Sequence, residues 1–214
     1  MVTVSAVIGP HANVNVHLSS RPKTSCVIAV HGRGGTAADI MRWAQAVVPE
    51  ASVLAPQAVG QSWYPQRFLV PQVENQPHLS SALTVLRAVL MKLEADGVPN
   101  KSIHWVGFSQ GACLVAEYIK QYPCRYGSVT LMSGGLIGTD AEVESAVVGS
   151  LHNTPIYLGC DVDDPHIPND RLLKTGDVLE RLQGDVATEQ YQAWGHRPHP
   201  QAEGFLRDRY MGSR

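Results

Sequence analysis

Several kinds of segment are scarce in this sequence of 214 residues, and each scarcity removes a class of function. Cysteine occurs four times, at Cys26, Cys113, Cys124 and Cys160, and never with C-x-x-C spacing. Cys26, Cys113 and Cys160 lie within apolar runs, so they are expected to be small buried residues in a reducing compartment. No run of Lys and Arg exists, and 17 basic against 19 acidic residues leave a formal charge of -2. Electrostatic capture of nucleic acid or of an anionic membrane is therefore not expected. No stretch approaches the ~18 apolar residues of a membrane span. The opening MVTVSAVIGPHANV lacks the basic start and long apolar stretch of a secretory signal, which makes cytoplasmic the expected location. Metal-ligating patterns are incomplete. The acids of DVDDPH (161–166) lack the remaining positions of a calcium loop, and Pro198 between His196 and His199 prevents helical presentation to zinc. Neither a metal nor a cofactor is expected.

What is present is an alternation. Runs rich in β-branched residues, CVIAVHG (26–32), SVLAPQ (52–57), IHWVGFS (103–109), SVTLMSGG (128–135), TPIYLGC (154–160) and VATEQYQAW (186–194), read as strands. Between them lie segments of helical period. Thr36 and Asp39 resemble a capping box ahead of Ile40, Trp43, Ala44, Val47 and Val48 on one face. LSSALTVLRAVLMKLEAD (79–96) carries a leucine stripe stopped by Gly97 and Pro99. A helix after Ser109 places Ala112, Val115, Ile119 and Tyr122 on one side, and further helices are expected near 171–183 and 201–210. This order predicts a mostly parallel sheet covered by helices on both faces, as one domain over 1–214. The N-terminal VTVSAVI and NVNVHL are expected to add antiparallel edge strands. The stretch 58–77 has no period, and its aromatics Trp63, Tyr64 and Phe68 read as exposed. A loop of that length usually serves function.

Chemistry concentrates at GFSQG (107–111), where a strand runs into a helix through a serine flanked by glycines. This is the context of a nucleophile elbow, in which a Cβ at either glycine position would collide with the neighbouring strand or helix. A serine hydroxyl needs a general base oriented by a carboxylate. In this architecture the chain order is serine, acid, histidine. His196 follows a strand end and Gly195 directly and is the expected base; His199, between two prolines, is the weaker alternative. Asp161, Asp163 and Asp164 all qualify as the acid; Asp164 precedes Pro165, which fixes the backbone there, and Asp163 is the next choice. Two backbone N–H groups are needed for an oxyanion. They are expected from Gln110, whose side chain is then expected to be dispensable, and from Arg33 in HGRGG (31–35). His31 is expected to pack beneath that loop.

These segments resemble the phospholipase/carboxylesterase family of small α/β-hydrolases, which includes the acyl-protein thioesterases. The resemblance runs in order through HGRGGTAADI, SWYPQRFLVPQVENQP, VGFSQGACLVAEY, MSGGL, GCDVDDPHIP and WGHRPHP, from about residue 26 to 199. GFSQGA and D-P-x-(V/I)-P are its specific elements. It implies an α/β-hydrolase fold without a cap domain, a Ser109–Asp164–His196 triad, and the main chains of Arg33 and Gln110 as oxyanion hole. It favours Asp164 over Asp163. Arg33 and the SWYP segment look more like the bacterial esterase-like members than the thioesterase branch. The expected partner is a small-molecule ester of small or medium acyl chain, with Trp63, Tyr64 and Phe68 against it. A thioesterase or lysophospholipase using the same triad is the alternative, and a ligand-binding protein without catalysis is the alternative of another class. A homodimer is neither required nor excluded by these residues.

Overall fold

The computed structural model describes residues 2–3, 8–22, 24–146 and 148–213. Its strands are β1 (Val2–Thr3), β2 (Asn15–Leu18), β3 (Cys26–Val30), β4 (Ser52–Pro56), β5 (Ile103–Phe108), β6 (Ser128–Met132), β7 (Pro155–Asp161) and β8 (Asp185–Tyr191). Its helices are α1 (Ala37–Val47), α2 (His78–Ala95), α3 (Gln110–Gln121), α4 (Asp140–Glu144), α5 (Asn169–Arg181) and α6 (Pro200–Met211). The strands form one sheet in the order β1-β2-β4-β3-β5-β6-β7-β8. β1 and β2 are joined antiparallel at one edge, and the strands from β4 onward in this order are parallel. This is the α/β-hydrolase architecture expected. Of VTVSAVI, residues 4–7 lie outside the described residues; Val2 and Thr3 supply β1, and Ile8 lies outside any strand.

Both faces of the central strands are buried, and period-2 alternation explains how. Cys26, Ile28 and Val30 of β3 join one apolar cluster, with α2, α3 and α5. Val27 and Ala29 join the other, with α1 and α6. A strand buried on both sides needs a continuous apolar run, and β3 is buried at all five positions. α1 begins as expected, with Thr36 Oγ1 accepting from the Asp39 N–H.

Three features depart from expectation. α3 is buried all round from Gln110 to Lys120 instead of along one stripe, and Tyr122 lies past its end, 41% exposed. The cause is its position between the sheet and a layer of chain that includes α2. β8 stops at Tyr191, because Ala193 takes a left-handed φ of 54° that ends extended pairing before Trp194. α4 was not anticipated, although its capping box is written in the sequence: Thr139 accepts from the Glu142 N–H and Glu142 accepts from the Thr139 N–H.

Parallel pairing has one consequence for function. The C-terminal ends of β3, β5, β7 and β8 lie at one edge of the sheet, so the segments after them, HGRGG, GFSQG, DVDDP and GHRPH, meet there.

His104, in β5, is fully buried between the hydroxyls of Ser128 (2.8 Å) and Ser213 (3.1 Å). Burial pushes its pKa down from 6.5 to about 4. The unfolded chain therefore binds this proton more readily between those values. The stability that neutral His104 contributes is full above pH 6.5 and is lost as the pH falls toward 4, on the order of 3 kcal/mol. Urea unfolding measured from pH 4.5 to 7 should show this slope, and His104→Gln should flatten it; an unchanged slope in the variant would remove His104 as its source.

Candidate active site

At GFSQG, two main chains approach too closely for side chains between them. A Cβ on Gly107 would sit 2.6–2.7 Å from backbone atoms of Gly111 and Ala112, and one on Gly111 would fall on the carbonyl oxygen of Val30. Ser109 is left at φ 53°, ψ -121°, a region that costs a non-glycine residue roughly 1–3 kcal/mol. Two main-chain bonds hold it there: its N–H donates to Met132 O at 2.9 Å, and its carbonyl accepts from Cys113 N at 3.0 Å.

The strained turn directs Ser109 Oγ at His196. His196 Nε2 lies 2.9 Å from that hydroxyl, and Nδ1 lies 2.7 Å from Asp164 Oδ2. The imidazole is packed between Phe108 (ring centroids 5.0 Å) and His166 (4.8 Å, edge-on). Asp164 has no exposed side-chain surface. Its other oxygen accepts the N–H groups of His166 (2.8 Å) and Ile167 (3.1 Å). Burial alone would raise its pKa; the hydrogen bonds from His196 and these amides outweigh it and hold the carboxyl below the usual value. With Asp164 ionised and accepting, Nδ1 carries the proton and Nε2 is free to accept from Ser109.

The other acids stand apart from the Ser109–His196–Asp164 hydrogen-bond chain. Asp163 is exposed, and its N–H donates to Asp161 Oδ1 at 2.9 Å. Asp161 is buried and takes the N–H groups of Trp194 and Gly195 on its second oxygen. It thereby joins the loop that carries Asp164 to the loop that carries His196. Nothing in its spacing distinguishes this role from that of an acid partner. His199 caps α6, accepting from Gln201 N, and stacks on Tyr191 at 3.7 Å, away from Ser109.

Gly32 lies against the serine: a Cβ there would come within 3.1 Å of Ser109 Cβ. Arg33 and Gln110 line the same cavity as Ser109. Gln110 opens α3, so its N–H has no intrahelical acceptor. The Gln110 side chain, expected to be dispensable, has hydrogen-bond partners of its own. It is buried, accepts from Trp63 N at 2.9 Å, and donates to Tyr64 O at 2.8 Å. The Arg33 guanidinium also has a task that sequence did not reveal. It donates to the carbonyls of Tyr64 (2.9 Å), Pro65 (2.8 Å) and Gln66 (2.8 Å). His31 packs under the loop as expected, with Nε2 accepting from Ala58 N at 3.1 Å.

These bonds fold 58–77 down onto the site, and the expectation of exposed aromatics is corrected: Trp63, Tyr64 and Phe68 are 0, 2 and 7% exposed. Trp63 donates its indole N–H to His31 O and stays in the core, outside the cavity lining. A large apolar ring with one donor is most stable buried with that donor paired. Tyr64 and Phe68 do line the cavity, an open space of about 440 Å³ with Ser109 and His196 on its wall.

A family model described as Phospholipase/Carboxylesterase matches residues 11–207. Among solved structures, a phospholipase/carboxylesterase from Dyadobacter fermentans is 33% identical, with a TM-score of 0.87, covering 96% of this chain and all of its own. The Bacillus cereus carboxylesterase (17% identity, TM-score 0.74, 94% and 95% of the two chains) shares the fold. So does a carboxylesterase from Mesorhizobium loti (16%, 0.69, 89% and 90%). Among curated proteins none matches.

Truncating Gln110 would leave the buried Trp63 N–H without its partner and take one donor from the Tyr64 carbonyl, which keeps Arg33 and Ser62. Gln110→Ala is expected to lower unfolding stability by about 1–3 kcal/mol. Chemical denaturation checks it, and a change within 0.5 kcal/mol would show the side chain to be idle.

Proposed function

We propose, for a chain that belongs to the phospholipase/carboxylesterase family and is a hydrolase, that it cleaves carboxylic esters of small or medium acyl chain through an acyl-enzyme on Ser109. The observation that carries this reading is the unbroken hydrogen-bond path from Ser109 Oγ through His196 to the buried Asp164.

Ser109 Oγ attacks the ester carbonyl while His196 Nε2 takes its proton. The imidazolium so formed is stabilised by Asp164, whose carboxylate is already ionised and held by two amides. The N–H groups of Arg33 and Gln110 receive the oxyanion, aided by the positive end of α3. His196 then gives its proton to the departing alcohol, leaving Ser109 acylated. A water deprotonated by His196 attacks the acyl-enzyme, and collapse of the second tetrahedral intermediate releases the acid and returns the proton to Ser109. The backbone strain at Ser109 supports the reading, since it presents the hydroxyl without a side-chain rearrangement. Tyr64 and Phe68 flank the substrate; Trp63 contributes from beneath, by fixing the loop.

Hydrolysis of p-nitrophenyl esters from acetate to decanoate tests the reading. Turnover should fall at least ~10³-fold in Ser109→Ala, with an optimum among the shorter chains; equal rates in wild type and variant would place the chemistry elsewhere. Asp161→Asn should leave the fold intact by circular dichroism yet lower kcat on the order of 10–100-fold, because His196 loses its anchored approach. An unchanged kcat in that variant would make the Asp161 bridge irrelevant to catalysis.

A further inference from the structure

The cavity beside Ser109 carries positive charge without a matching negative one. Its lining includes Arg33 and Arg67 and no aspartate or glutamate. Among the described residues neither arginine has an ion-pair partner. Arg33 is held rigid by three carbonyls, which are neutral and leave its charge uncancelled. Both hydrogens on Nη2 and one on Nη1 are used; one N–H on Nη1 and the one on Nε remain. Arg67 is exposed on the 58–77 loop that Arg33 holds, whose shape is locked there by Asn75: Nδ2 donates to Arg67 O and Oδ1 accepts from Gln66 N. The other acidic groups on the wall stay neutral: burial raises the Tyr64 phenol well above its ordinary value and pushes the Cys113 thiol up to about 11. The Asp164 carboxylate is enclosed behind His196 and offsets the imidazolium of the reaction. The whole chain has a formal charge of -2, so this concentration of cations is local to the cavity.

A neutral ester would occupy this cavity and leave both guanidinium charges without a counter-charge. An anionic group would meet the held guanidinium of Arg33 and the exposed charge of Arg67 on the wall of a partly enclosed space, where attraction is stronger than between charges in bulk water. We infer that the natural ester bears a carboxylate or phosphate on one of its two halves, bound by Arg33 and Arg67 while Ser109 attacks. This rests on the serine esterase reading and sharpens it. Within one active centre it selects charged esters over uncharged ones of the same length.

Two matched ester pairs test it, and they distinguish the two halves. On the acyl side, mono-4-nitrophenyl adipate is compared with methyl 4-nitrophenyl adipate. On the alcohol side, 4-(butyryloxy)benzoate is compared with its methyl ester. In one pair the charged ester should have a kcat/KM at least about tenfold higher. The preference should shrink toward unity in 1 M NaCl, where the Debye length drops to about 3 Å from about 10 Å at 0.1 M. Arg67→Gln should likewise shrink it, and Arg67→Lys should keep part of it. Ratios within each variant cancel any general loss of turnover. Turnover of all four esters without a charge preference overturns the inference and leaves the esterase reading standing; so does a preference that Arg67→Gln does not change. No turnover of any ester by the wild type overturns both.

Discussion

Everything at the site depends on how closely the turn after β5 is pressed between the end of β3 and the start of α3. The gap is narrower than a methyl group at two positions, Gly107 and Gly111. Ser109, between them, is the residue that must absorb the geometry, and it does so at a positive φ held by Met132 and Cys113. Because α3 starts immediately, Gln110 is drawn inward, where its side chain finds the backbone of Trp63 and Tyr64. The position of the 58–77 loop, and hence the cavity wall, is therefore tied to the same turn that aims the serine.

The carboxylates show how burial and backbone donors divide related residues between tasks. Asp164 and Asp161 lie three positions apart, are both buried, and both accept main-chain N–H groups. Only Asp164 reaches His196, because Asp161 has spent its second oxygen on Trp194 and Gly195. That use places His196 at the end of a short, anchored segment rather than on a free loop. The arrangement holds the segment before His196 by its backbone, through Asp161, and the His196 ring by its side chain, through Asp164. Such double restraint suits a reaction whose barrier rises steeply with misplacement. Hydrogen bonds to an ionised acceptor are also among the stronger ones available, which favours carboxylates for both tasks.

The arginines on the loop wall follow a different logic. Arg33 serves the fold with its guanidinium, yet its bonds end on neutral carbonyls, so the structural role does not consume its charge. One side chain thereby shapes the wall and sets its potential.

What the sequence by itself determined is what local periodicity and steric demand encode. Two-residue and 3.6-residue patterns placed the sheet strands from β3 onward and most helices, and the glycines of GFSQG announced a close approach of backbones. The chain order of Ser109, Asp164 and His196 at strand ends was legible because parallel pairing brings those ends to one edge. The tertiary structure alone decided the remainder. A stripe on α3 could not foretell burial on all sides, since that depends on what covers the helix. Trp63, Tyr64 and Phe68 lie in a segment with no period, so nothing local indicated that Gln110 and Arg33 would pull them inward. The parts of Asp161 and of the Gln110 side chain were hidden for the same reason: their partners are 33–34 and 46–47 residues away along the chain. Hydrogen bonds of that reach leave no periodic trace, because only folding brings their donors and acceptors together.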